Sequence, residues 1–128
     1  MPKPPKISEA EWEVMTVLWH SSPLSASDVV KEVGGRMQWH PKTVKTLLAR
    51  LVRKGALRYR QDGNRYLYIP IHPRQRYVEA ESRSFIERVF GGSVTPALVH
   101  FVEAMELSDD DLDELRQILE RKEEDAQR

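Results

Sequence analysis

The chain has 128 residues, with 20 Lys and Arg against 20 Asp and Glu and no cysteine, which excludes a disulfide framework, a thiolate metal site and a cysteine nucleophile. The zero net charge conceals a sorting along the chain: residues 1–77 carry 14 Lys and Arg against 6 Asp and Glu, a net of +8, and residues 78–128 carry 6 against 14, a net of −8. A basic half of this kind suits a polyanion, because clustered Lys and Arg bind phosphates with release of counterions whatever the overall pI, while the acidic half suits another task.

The first residues, MPKPPKI, form a short basic, proline-rich arm with no apolar stretch behind it, so they do not read as a signal peptide. No apolar run is long enough to span a membrane, and the chain reads as a cytoplasmic protein with no membrane insertion. At this length it is one domain or two small lobes, and a lobe of about 65 residues buries only a modest core, so help from a second subunit is expected.

The first helix starts at Ser8. Ser8 and Glu11 have the spacing of a capping box, and Trp12, Met15, Leu18 and Trp19 recur at helical spacing toward a core. Pro23 follows its end. Ser25 and Asp28 open a second, short helix, SASDVVKEV, which Gly34 and Gly35 are expected to terminate. The third helix, HPKTVKTLLARLVRKG, has Pro41 at its first position and Gly55 at its C-terminal cap. Val44, Leu47, Leu48, Leu51 and Val52 make one apolar stripe, and the remaining positions include Lys42, Thr43, Lys45, Thr46, Arg50 and Arg53 with no acid. Two runs rich in Tyr, Leu and Ile then flank Asp62-Gly63-Asn64, a hairpin signal, and Arg58, Arg60 and Arg65 charge that hairpin. The order helix, short helix, basic helix, hairpin is that of a winged helix-turn-helix.

Residues 72–77 read as a junction. A helix is expected from about Arg74 to Phe90, with Tyr77, Phe85, Ile86, Val89 and Phe90 apolar, and Gly91 and Gly92 break it. The next is expected from about Pro96 to Glu106, with Leu98, Val99, Phe101, Val102 and Met105 apolar. Ser108 and Asp111 form a third capping box before a last helix bearing Leu112, Leu115, Ile118 and Leu119, whose tail ERKEEDAQR is expected to fray. Three such helices carry more apolar surface than so small a lobe can cover, so they read as a dimerisation unit through Phe85, Val89, Leu98, Phe101, Val102, Leu112, Leu115 and Leu119. The fold class is therefore mainly α, with an α+β winged helix-turn-helix over residues 1–72 and a three-helix dimerisation domain over residues 73–128.

A helix fits the major groove with its N-terminal residues nearest the base edges. Lys42, Thr43, Lys45 and Thr46 lie in the first turns of the basic helix, where Lys donates to guanine acceptors and Thr offers a methyl or a hydroxyl. Arg50 and Arg53, further along, suit phosphate. Arg58, Arg60 and Arg65 on the hairpin suit phosphate or the minor groove, and Trp39, just ahead of the helix, suits either the sugar-phosphate backbone or the core. His20, His40, His72 and His100 are scattered without metal-ligand spacing, and the chain has no phosphate-binding loop, dinucleotide fingerprint or nucleophile elbow. Asp109, Asp110 and Asp111 are explained as acids at a helix N-terminus. An enzyme, a metal and a cofactor are not expected. Besides double-stranded DNA, the same surfaces allow a protein-interaction module, or a repressor that binds a small molecule between its lobes.

The runs SEAEWEVMTVLW, SASDVV and WHPKTVKTLLARLVRKGAL, with SFIERVFGGSVTPALVHFVEAMELSDDDLDELRQILE behind them, resemble the penicillinase repressor family of the BlaI, MecI and CopY type, from Ile7 to about Glu120. The resemblance implies a homodimeric transcriptional repressor on a dyad-symmetric operator with TACA/TGTA-like half-sites, read from the positions of Lys42, Thr43, Lys45, Thr46 and Arg50. In the penicillinase branch a membrane-bound zinc metalloprotease sensor releases the repressor by promoting cleavage between Asn and Phe in the dimerisation domain. The matching bond here is His100-Phe101, with His in place of Asn. The copper branch ends in a cysteine metal hook, which this cysteine-free chain lacks.

Overall fold

The computed structural model describes residues 3–128, so Met1 and Pro2 of the basic arm lie outside it. In chain order the elements are α1 (Glu9–His20), β1 (Leu24–Ser25), α2 (Ala26–Met37), α3 (Pro41–Lys54), β2 (Leu57–Asp62), β3 (Arg65–Pro70), α4 (Arg74–Phe90), α5 (Val94–Ala104) and α6 (Asp109–Ala126). The chain divides into two units between Ser82 and Arg83, inside α4.

Three helices start in the same way. Ser8, Ser25 and Ser108 each accept the N–H of the residue three further on, and the carboxylates of Glu11, Asp28 and Asp111 accept the serine N–H in return. Two orphan donors are thus satisfied at each helix start. α3 starts differently, with Pro41 at its first position, and ends on Gly55, whose φ of 85° is the left-handed conformation that glycine adopts without a Cβ clash.

In the N-terminal unit the apolar stripes of α1 (Val14, Met15, Leu18), α2 (Val29, Val33) and α3 (Val44, Leu47, Leu48, Leu51) are buried against one another with Ile7, Ala56 and Leu57. β2 and β3 form an antiparallel hairpin joined by Gly63 and Asn64, with Gly63 at a φ of 64°. A positive φ at the first of two connecting residues matches the twist of the strands it joins. β1 adds to the far side of β3, pairing Leu24 with Tyr68 and Ser25 with Leu67, so the sheet order is β1-β3-β2.

Four details differ from the expectations above. α2 does not stop at Gly34 but runs through both glycines to Met37, and Gln38 takes the left-handed conformation at a φ of 57°. Each glycine weakens a helix by about 1 kcal/mol, but Val33 is buried just before them and Arg36, just after, bonds Glu13 of α1 at 2.6 Å. β1 escapes detection because two residues show no periodicity, and it forms on the open edge of β3. α5 begins at Val94, two residues early; Pro96 falls in its first turn, where no intrahelical N–H bond is required. α6 remains helical to Ala126 through the charged tail.

Tyr77 of α4 is fully buried in the N-terminal unit, whereas the other large apolar residues of its helix are half-buried or, at Val89, exposed. Its ring lies 5.3 Å from that of Trp19 and 6.2 Å from that of Trp12, and Trp19 Nε1 donates to the His72 carbonyl at 3.1 Å. The three rings fix the start of α4 on α1. Burial, and then the negative charge of Glu11, push the Tyr77 hydroxyl up to about 12.

The C-terminal unit holds together through rings. Phe85 lies 5.9 Å from Phe90 and 6.0 Å from Phe101, and His100 lies 6.1 Å from Phe90. Gly91 and Gly92, both at positive φ, turn the chain between α4 and α5. Among residues 83–128 only Ala97 is buried, while Val89, Val94, Leu98, Val99, Phe101, Val102, Met105, Leu115 and Leu119 are exposed.

Candidate nucleic-acid interface

α3 is about 21 Å long at 1.5 Å per residue and has two faces. One is buried in the core through Val44, Leu47, Leu48 and Leu51; the other exposes Lys42, Thr43, Lys45, Thr46, Arg50 and Arg53. Among the described residues no carboxylate pairs with Lys42, Lys45, Arg50 or Arg53. Four cations within fourteen residues repel one another, and the helix accepts that cost with its N-terminal turn free of acids. Such a stripe is stabilised when a polyanion covers it.

Two side-chain bonds set the start of this helix. His40, its N-cap, accepts the Lys42 N–H at Nδ1, 3.0 Å away. The Thr46 hydroxyl donates to the Lys42 carbonyl at 2.9 Å. Its hydrogen is therefore committed, and Thr46 presents a methyl group and an oxygen acceptor instead. Lys54, at the other end of α3, turns inward to Glu11 and does not extend the stripe. Trp39 is half-buried and packs on the core cluster at the root of α3.

The hairpin also has two faces. Arg58 stands opposite Ile69, Arg60 opposite Leu67, and Asp62 opposite Arg65. Directly opposed and alternate residues share a face of a sheet, so Arg58, Arg60 and Arg65 lie on one side. Arg65 lies 3.6 Å from Asp62, with both side chains exposed; such a pair is worth less than about 1 kcal/mol and yields readily to a phosphate. The other side carries Tyr59, Tyr66 and Tyr68, with 4.5 Å between the rings of Tyr59 and Tyr66. Burial, followed by the two neighbouring tyrosines, pushes the Tyr68 hydroxyl up. This tyrosine face and the capping role of His40 are not among the features expected from the sequence. For His40 a signal was present, since it stands directly before a proline at a helix start.

In the C-terminal unit, Val89, Leu98, Phe101, Val102, Leu115 and Leu119 are exposed, whereas Phe85 and Leu112 are half-buried. The His100-Phe101 bond lies within α5, where the Phe101 carbonyl accepts the Met105 N–H at 3.0 Å. No group of three or more His, Cys, Asp or Glu among the described residues could hold a metal ion. No helix among them is long and apolar enough to cross a membrane.

The penicillinase repressor family model matches residues 7–121. The chain is 40% identical over 120 residues to the penicillinase repressor of Bacillus licheniformis, covering 94% of each chain. It is 35% identical over 117 residues to the methicillin resistance regulatory protein MecI of Staphylococcus aureus, covering 91% of this chain and 95% of that one. Among solved structures it resembles monomeric BlaI of Bacillus licheniformis in complex with the blaP half-operator, with a TM-score of 0.54 and 42% identity over 60% of this chain and 94% of that one.

Proposed function

The chain belongs to the penicillinase repressor family of transcriptional repressors, and on that premise we propose that it binds a dyad-symmetric DNA operator as a homodimer. The observation that carries the proposal is the exposed, unpaired cationic face of α3. Lys42, Thr43, Lys45 and Thr46 read base edges in the major groove; Arg50 and Arg53 contact phosphates; Arg58, Arg60 and Arg65 of the hairpin hold the backbone or the minor groove, with Trp39 supporting the helix start. The winged helix of residues 1–72 acts as the DNA-binding part and residues 73–128 as the dimerisation part. What supports a second copy is the C-terminal unit itself, which fully buries only Ala97 and leaves nine large apolar side chains exposed.

Two subunits double the phosphate contacts, so dissociation to monomers releases the operator. A sensor protease acting at His100-Phe101 would provide that release, since it would sever α5. The bond is helical, so α5 must first open to expose it to cleavage.

Selection of bound fragments from sheared host genomic DNA, at moderate salt with excess competitor, tests the proposal. Recovery of a few dyad-symmetric sites upstream of genes is expected. Recovery without enrichment would leave non-specific affinity only and would favour a protein partner for the same charged faces.

A further inference from the structure

His40 caps α3 from an exposed position. Its Nδ1 accepts the Lys42 backbone N–H. A backbone N–H can only donate, so Nδ1 carries a lone pair and the neutral ring holds its proton at Nε2. The cap bond therefore fixes both the tautomer and the seat of the ring. Among the described residues Nε2 has no partner.

Histidine is not a favoured N-cap. Ser, Thr, Asp and Asn perform that task with smaller side chains, and Ser starts the three other capped helices of this chain. What a histidine adds over a serine is reach: beyond the atom that caps the helix, a rigid ring carries its donor further out from the backbone than a serine hydroxyl can. Here that donor stands at the end of α3 that bears Lys42, Thr43, Lys45 and Thr46 and lacks acids.

We infer that His40 is a DNA-backbone contact: Nδ1 caps α3 while Nε2–H donates to a phosphate oxygen flanking the groove that α3 enters. This rests on the DNA-binding reading above and adds a positioning residue to it. Because phosphate contacts set register and orientation without reading sequence, His40 sets how α3 is seated, and Lys42 and Thr46 do the reading.

The test compares the full chain with its His40→Ser and His40→Asn variants. Anisotropy is read on a selected operator duplex and on a scrambled duplex of equal length, over a series of salt concentrations, beside thermal unfolding. Both replacements are better N-caps than histidine, and the donors they retain stand closer to the backbone than Nε2, so a histidine that only caps predicts melting that does not fall and unchanged affinity. The inferred contact likewise predicts melting that does not fall, but affinity for both duplexes lower by about tenfold per half-site. The salt slope stays the same, because a neutral donor displaces no cation. Unchanged affinity in both variants overturns the inference, as does a loss confined to the operator or one that follows a fall in melting temperature. If the unaltered chain binds neither duplex, the DNA-binding reading itself fails, and His40's role with it.

Discussion

Lys54 Nζ lies 2.5 Å from Glu11 Oε1 and joins the last turn of α3 to the first turn of α1. The Glu11 carboxylate is fully buried, whereas the lysine keeps 33% of its side chain exposed. Oε1 also accepts the Ser8 N–H at 2.8 Å, and Oε2 is buried with no hydrogen-bond partner among the described residues. One carboxylate thus caps α1 and anchors the helix that carries the candidate DNA-reading face.

Removing one partner of such a pair leaves a buried charge uncompensated. Lys54→Met is expected to cost about 3 kcal/mol, the low end for a broken buried pair because the lysine is partly solvated. Glu11→Gln in the same chain keeps the cap and removes the stranded charge, so the double variant should recover much of the loss. Urea unfolding of the four proteins in the cycle measures the coupling; additive losses would refute the arrangement.

The pair also gives stability a pH dependence. Burial pushes the Glu11 carboxyl up, but the bonds from Lys54 and Ser8 together outweigh it and hold the group below its ordinary value of 4.5. A group with a lowered folded pKa contributes stability that is present above the unfolded value and is lost as pH falls through the folded one. Asp28 and Asp111, held low by their serine caps, change in the same direction. The urea midpoint should therefore hold from pH 7 to about 5 and fall below pH 4.5, and Glu11→Gln should flatten that fall. A midpoint in the unaltered chain that rises on acidification would contradict this assignment.

Much of this was legible in the sequence, and the reasons differ by element. The capping boxes at Ser8, Ser25 and Ser108 are local hydrogen-bonding patterns, so they appear in the structure as written. The stripe Val44, Leu47, Leu48, Leu51 is a local period, and it also fixes which side of α3 faces out. What local reading misses is set by distant residues. The helix α2 continues past its glycines because its far end meets α1, β1 exists because β3 has an open edge, and Tyr77 turns inward because Trp12 and Trp19 stand ready on α1, far earlier in the chain. For the candidate site, the cations of α3 and the hairpin were evident, but the tyrosine face emerged only from the strand register.

Dimerisation through the C-terminal unit is expected to depend on its exposed apolar face. Leu98 is 58% exposed on α5 and Leu119 equally so on α6, in a unit that buries a single alanine. An aspartate at Leu98 costs the isolated unit little, because that side chain already meets solvent, but it would place a charge in a subunit interface. Sedimentation at micromolar concentration should therefore show Leu98→Asp as a monomer of unchanged helicity. An intact dimer would place the contact elsewhere.

Base reading and backbone holding should separate by residue. In the proposed docking Lys42, in the first turn of α3, enters the groove, and Arg60, on the hairpin, meets the backbone or the minor groove. Lys42→Ala should cost about 1–3 kcal/mol on the selected operator and less on a scrambled duplex, so preference narrows. Arg60→Ala should weaken both duplexes alike and reduce the slope of log affinity against log salt by about 0.9 for each phosphate that is no longer neutralised. Neither change touches the core, so melting temperatures should hold. If Lys42→Ala weakened both duplexes equally, the first turn of α3 would be a phosphate clamp, and the reading of sequence would have to lie further along the helix at Thr46 and Arg50.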